Sequence, residues 1–334
     1  MSVDPTLATV WAFIIAFAVF AYIVLDGFDL GIGTLFPTFP VGPERDAAMN
    51  SVAPVWDGNE TWLVLGGGGL MAAFPLAYAV VLPALYPPII AMLLALIFRG
   101  VAFEFRWRDP GHRRAWDAAF FLGSVTAAFA QGISLGAILQ GIEIDGRAYG
   151  GGWLDWLTPF SLLTGVSLVA AYALLGACWL ILKTEGPGQE HARRMAARAG
   201  ALTVLAIVAV SAATPFLNYR YFDRWLGWPN ILAVAPVPIL VGVLSLLFAR
   251  SLKRKAEAAP FLIALSLFAL SFIGLGISMY PYILPDQLTI VAAAAPAESQ
   301  WFMLVGAGVL VPIILAYTGW AYWVFRGKVS EGYH

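Results

Sequence analysis

The chain has 334 residues, 60% of them hydrophobic and 12% charged, with a mean hydropathy of +0.80 and a formal net charge of −1. Soluble domains carry about 25% charged residues, so the composition excludes a soluble globular protein and sets the chain in a lipid bilayer. One cysteine and three histidines exclude an internal disulfide and any thiolate metal cluster built within the chain. With no basic stripe and no glycine-rich phosphate loop, nothing here points to nucleic acid.

A hydrocarbon core of about 30 Å needs roughly 20 helical residues per crossing. Uncharged stretches of that order run over 7–25, 61–98, 118–142, 156–182, 199–219, 225–249, 258–285 and 299–325. The opening residues MSVDP lack the positive n-region of a signal peptide, so the first stretch is predicted to be a retained span. The second is too long for one crossing and holds Pro75, Pro83, Pro87 and Pro88; a tight turn at FPLAY, residues 74–78, divides it in two. The predicted fold is therefore all-α and polytopic, with nine transmembrane helices. Eight of them can be grouped as two four-helix bundles, 1–142 and 143–285, leaving a peripheral ninth helix and tail over 286–334.

Basic residues orient this arrangement. Only Arg147, Arg220 and Arg224 of the 19 Lys and Arg residues fall on the side that holds the N-terminus. By the positive-inside bias the N-terminus is periplasmic and the C-terminus cytoplasmic. Connections are short, and the longest outer segments, 143–155 and 286–298, are too small to fold alone. The run Gly66–Gly69 lies within a span and reads as close helix packing. Trp320, Tyr322 and Trp323 next to Arg326 read as an interfacial aromatic belt with a snorkelling cation.

Charged side chains concentrate at the predicted cytoplasmic ends of the first three spans. Asp26 and Asp29 sit near the end of an otherwise uncharged run, where a carboxylate costs roughly 2.5–3.5 kcal/mol on insertion scales. Tyr22, Asp26, Asp29 and Gly33 follow i, i+4, i+7, i+11 spacing and share one helix face. The second span opens with Asp57, Asn59 and Glu60, and the third closes with Arg99, Glu104 and Arg106. Asp57-x-x-Glu60 also has the spacing of a capping box, and Asp29 with Arg99 has the make-up of a helix-pinning ion pair. Asp26, closer to the membrane middle, has the weakest local excuse; intramembrane carboxylates of this kind are proton relays or ion sites.

Ligands for a redox metal are missing from the spans. His112 and His191 fall in predicted cytoplasmic loops, His334 is the last residue, and Met71, Met92, Met279 and Met303 read as apolar filler. If the chain takes part in redox work, a partner carries the cofactors.

Four blocks, LDGFDLGIG at 25–33, NSVAPVWDGNETWLVLGGGGLMAAFP at 50–75, FRGVAFEFR at 98–106 and VPIILAYTGWAYW at 311–323, resemble subunit II of the cytochrome bd family of quinol oxidases, including its cyanide-insensitive branch. The resemblance spans essentially the whole chain. It implies two helix bundles with a peripheral ninth helix, and a heterodimer whose subunit I carries haems b and d and oxidises quinol. It further implies a bacterial inner membrane, possible small single-helix accessory subunits, and room for a structural quinone or lipid. This chain would carry no haem and would contribute to proton uptake from the cytoplasm for reduction of oxygen to water. By motif, Asp26, Asp29, Asp57 and Arg99 are carried over as the polar pathway, with Glu60 and Glu104 as weaker transfers. The competing readings are a proton-coupled secondary transporter, disfavoured by the one-sided cluster, and a purely structural assembly subunit.

Overall fold

The computed structural model describes residues 3–329, and His334 lies outside the described residues. The architecture is helical, with two short hairpins as its strands. In chain order the helices are α1 (Pro5–Leu35), α2 (Pro43–Asn50), α3 (Trp56–Ala73), α4 (Pro75–Ala84), α5 (Tyr86–Arg108) and α6 (Arg113–Gln140). The hairpin of β1 (Ile144–Asp145) and β2 (Ala148–Tyr149) leads to α7 (Pro159–Lys183) and α8 (Gly186–Ala213). Two short helices, α9 (Tyr219–Leu226) and α10 (Asn230–Val234), precede α11 (Pro236–Lys253) and α12 (Ala258–Met279). A second hairpin of β3 (Tyr282–Leu284) and β4 (Leu288–Thr289) and the single turn α13 (Ile290–Ala293) lead into α14 (Ala297–Val324).

Eight of the described helical segments are long and apolar enough to cross a membrane. Of the nine predicted crossings, the one outside this set is α3. It is 18 residues long and opens with Asp57, Asn59 and Glu60, which dilute its hydropathy. The division of the long second stretch also differs from the predicted tight turn at FPLAY. Pro75 instead starts the ten-residue helix α4 after a one-residue break at Phe74. Proline at a first helical position loses no hydrogen bond, because that N–H would be an orphan anyway. A second one-residue break, at Leu85, separates α4 from α5.

Local signals set the other helix starts. Asp4 caps α1 by accepting from the backbone N–H of Thr6 and Leu7, with Pro5 at the first position. Thr158 and Ser161 form a reciprocal capping box at the start of α7. By contrast, Asp57-x-x-Glu60 is not a capping box: α3 is capped at Val55 without a side-chain hydrogen bond, so Asp57 stands inside the first turn.

The helices meet through small residues. A Cβ on Gly31 of α1 would lie 1.8 Å from the backbone oxygen of Tyr172, and one on Gly176 of α7 would lie 2.5 Å from the backbone of Gly31. The two backbones therefore touch where α1 crosses α7. In the glycine run of α3 the packing reading holds for half the residues. Gly66 and Gly69, three apart and so on one face, approach Val19 and Ile15 of α1, whereas Gly67 and Gly68 face open space.

Candidate functional site

Helix packing brings α1, α3 and α5 together around one buried guanidinium. Asp26 and Asp29 descend from one face of α1, Asn59 and Glu60 from the first turns of α3, and Arg99 from α5. Asp26, Asp29 and Arg99 are wholly buried and Asn59 nearly so. Arg99 Nη1 lies 2.5 Å from Glu60 Oε1 and 3.5 Å from Asp26 Oδ1, and Nη2 lies 3.8 Å from Asp29 Oδ2. The rings of Trp56 and Phe103, stacked at 4.9 Å, also cover the guanidinium, 5.9 and 5.5 Å from its carbon. One planar fork thus serves three carboxyl groups, a task for which arginine rather than lysine is shaped.

Asn59 and Tyr322 complete the lower half of the site. Asn59 Nδ2 donates to Asp29 Oδ2 at 2.8 Å and to the Leu25 carbonyl at 3.2 Å, while its Oδ1 accepts from the Tyr322 hydroxyl at 2.9 Å. Tyr322 is thereby removed from the predicted aromatic belt, in which Trp320 and Trp323 remain exposed, the latter under Arg326. Its ring packs instead against Phe28 and Trp179. Upward from Asp26, Tyr22 stands one turn earlier on the same face of α1, and its hydroxyl accepts from Gln131 of α6 at 2.8 Å. Among the described residues, both oxygens of Asp26 and Oδ1 of Asp29 make no hydrogen bond of ordinary geometry.

The six predicted site residues divide accordingly. Asp26, Asp29, Glu60 and Arg99 are brought together. Asp57 is exposed at the mouth, near enough for its charge to reach Glu60. Glu104 stands outside the group, on the exposed face of α5, paired with Arg108 at 3.2 Å one turn along.

A second ionic group lies toward the helix ends. Arg106 is buried between Asp117 of α6 (Nε to Oδ1, 2.5 Å) and Asp46 of α2 (Nη2 to Oδ1, 2.8 Å). Arg45 holds the other oxygen of Asp117 at 3.0 Å, and Arg113 pairs with Asp46. Here three cations meet two carboxylates, and the group ties the short α2 to the ends of α5 and α6. Its arrangement is that of a clamp: the two oxygens of Asp117 are divided between Arg106 and Arg45, and Oδ1 of Asp46 takes both Arg106 and Arg113.

Metal ligation finds no footing in these positions. Among the described residues no three His, Cys, Asp or Glu side chains are placed to hold a metal ion. His112 is committed to Asp109, whose carboxylate is held below the usual range by hydrogen bonds from His112 and then Trp116. His191 pairs with Thr38 and packs on Phe39, and Cys178 is buried alone.

Such a fold and site define a class: a multi-pass helical membrane protein with a buried carboxylate–arginine group at one end of its helices. Within that class the chain belongs to the cytochrome bd terminal oxidase subunit II family, whose family model matches residues 7–325. Cytochrome bd-I ubiquinol oxidase subunit 2 of Escherichia coli K12 is 31% identical, over 96% of this chain and 95% of that protein. Cytochrome bd ubiquinol oxidase subunit 2 of Bacillus subtilis is 30% identical, over 98% of each. The solved bd oxidase of Geobacillus thermodenitrificans shares the fold, with a TM-score of 0.76 at 21% identity over 96% of this chain and 99% of that one. The chain is thus a subunit of a quinol oxidase complex, an oxidoreductase, and as a subunit 2 it implies a subunit 1 partner.

Proposed function

We propose that this chain works as the haem-free subunit of a quinol:oxygen oxidoreductase and that its Asp26–Asp29–Glu60–Arg99 group passes protons from the cytoplasm toward the site of oxygen reduction. One observation carries the reading: three carboxyl groups share a single buried guanidinium. Full ionisation would leave excess negative charge in a medium that penalises it. A group so constituted holds protons in transit, and the free oxygens of Asp26 and Asp29 give them somewhere to sit. Asp57, at the exposed mouth, is the outermost step, and Glu104 enters only as a surface carboxylate on the same side.

In this reading α3 completes nine crossings, its polar first turns lying inside protein rather than against lipid. The N-terminus is periplasmic, the C-terminus cytoplasmic, and the spans divide into bundles over 1–142 and 143–285 with α14 peripheral. The haem-bearing subunit I, holding haems b and d and oxidising quinol, sits alongside in a bacterial inner membrane. Small single-helix subunits and a structural quinone or lipid complete the assembly.

The test is oxygen consumption per haem in the complex purified under mild detergent. Asp26→Asn and Asp29→Asn are expected to lower turnover per haem by about tenfold or more while haem content stays near wild type. Wild-type turnover in both would remove the proton role. Lost haem with normal turnover per remaining haem would assign the group to assembly alone.

A further inference from the structure

Above Asp26, three side chains from three helices form a hydrogen-bonded line outside the ion pairs of the site. The Tyr172 hydroxyl of α7 donates to Gln131 Oε1 at 2.8 Å, and Gln131 Nε2 of α6 donates to the Tyr22 oxygen of α1 at 2.8 Å. Tyr172 is wholly buried and Tyr22 is 4% exposed. Because the Tyr22 oxygen already accepts from Gln131, its own proton remains to be donated. One helical turn on along the same face of α1 stands Asp26, whose two oxygens make no hydrogen bond among the described residues. The two donors of the line, Tyr172 and Gln131, thus point the same way, toward Tyr22 and the helix face that carries Asp26.

A set of hydroxyls needing only satisfaction inside a bilayer would close on backbone carbonyls, as Thr164, Ser167 and Thr203 do here. This line instead ends on a hydroxyl one helical turn from an ionisable side chain that has Arg99 on its other flank. Its middle member is an amide, whose donor and acceptor ends exchange when the group turns over. In one setting Tyr22 offers a proton to an ionised Asp26. In the other, Gln131 accepts from Tyr22, and the Tyr22 oxygen is free to receive the proton of a neutral Asp26.

We infer that Tyr22, Gln131 and Tyr172 are positioning residues for proton transfer at Asp26, a two-setting hydrogen-bond line that holds this carboxyl in register in both its ionised and its neutral form. The inference rests on the proton-uptake reading and deepens it. No atom of the line is consumed: the proton enters and leaves through Asp26, and the three side chains only reorient.

The experiment uses the assembled oxidase complex with Tyr22→Phe, Tyr172→Phe, Gln131→Leu and, as reference, Asp26→Asn. Tyr22→Phe and Tyr172→Phe each remove one hydroxyl and no volume, so they remain decisive even if Gln131→Leu fails to assemble. Two quantities are read: oxygen turnover per haem, and the carboxyl stretch that Asp26→Asn deletes from the redox-difference infrared spectrum. Losing one hydrogen bond predicts a fall in turnover of about threefold to tenfold in Tyr22→Phe and a displaced Asp26 band, a signature that a merely structural hydroxyl would not produce. If Tyr22→Phe and Tyr172→Phe keep both band and turnover while Asp26→Asn is slow, the line is not a positioning device and the proton-uptake reading stands without it. If Asp26→Asn itself turns over like wild type, that reading fails first and this inference with it.

Discussion

Replacing Arg99 with leucine is expected to leave a chain that inserts normally but supports little oxidase activity. Insertion is spared because taking a guanidinium out of a span relieves roughly 2.5–3.5 kcal/mol on insertion scales. Assembly is not spared. Arg99 is wholly buried and answers Asp26, Asp29 and Glu60 together, and breaking a buried pair by removing one partner costs about 3–5 kcal/mol. Without the cation the three carboxyl groups are stable in that space only when protonated, and a site that cannot release its protons does not conduct. Membrane immunoblots should therefore match wild type while haem-normalised oxygen uptake falls by about a hundredfold. Arg99→Lys should fall between, since an ammonium keeps the charge but loses the fork. Adding Asp29→Asn to Arg99→Leu should recover part of the loss, because the two groups are coupled. Full activity in Arg99→Leu would mean that the ion pairs are dispensable.

The second large effect belongs to a residue with no polar atoms in its side chain. Gly31→Val is expected to prevent assembly, because its Cβ would start 1.8 Å from the backbone oxygen of Tyr172. Overpacking a core costs typically about 1–3 kcal/mol when side chains can adjust; here the obstacle is backbone, and the only adjustment is separation of α1 from α7. Such a separation would carry Tyr22, Asp26 and Asp29 away from their partners on other helices. Gly27→Ala is the control: its Cβ would meet the Tyr172 ring at 2.7 Å, a side chain that can shift. The purified complex with Gly27→Ala should show a modest loss of thermal stability, whereas Gly31→Val should yield no haem-loaded complex. Equal behaviour of the two would refute backbone contact as the reason for glycine at Gly31.

How far the site could be read from the sequence depended on the kind of residue. Asp26 and Asp29 were legible because an acid in an apolar run violates the solvent's preference, and helical spacing fixes their shared face. Arg99 and Glu60 followed from their depth at neighbouring helix ends. Tyr322, Gln131 and Tyr172 were not legible. Tyr322, near a span end, resembles a belt residue, and Tyr172 and Gln131, within their spans, resemble helix filler; their pairing exists only once α14, α6 and α7 are set against α1 and α3. Amphipathic aromatic side chains carry no signal of which partner they meet.

Helix boundaries show the same division. The apolar spans predicted the crossings that carry eight of the long helices, because length and hydropathy are summed over many residues. Local details rested on one or two residues and went the other way. Asp57 has the spacing of a cap, but α3 starts one residue earlier, so its carboxylate sits in the first turn. FPLAY has the composition of a turn, but Pro75 starts a helix. Glu104 lies only a few residues beyond Arg99, yet the helical rotation between them turns it to the exposed face.

The most direct test of the central claim is the rate of proton uptake during a single turnover of the reduced complex with oxygen, followed with a pH-indicating dye on the cytoplasmic side. Asp26→Asn is predicted to slow proton uptake by about tenfold or more while electron transfer among the haems before the proton-limited step keeps its wild-type rate. Proton uptake at the wild-type rate in that variant, with haem content intact, would contradict the account.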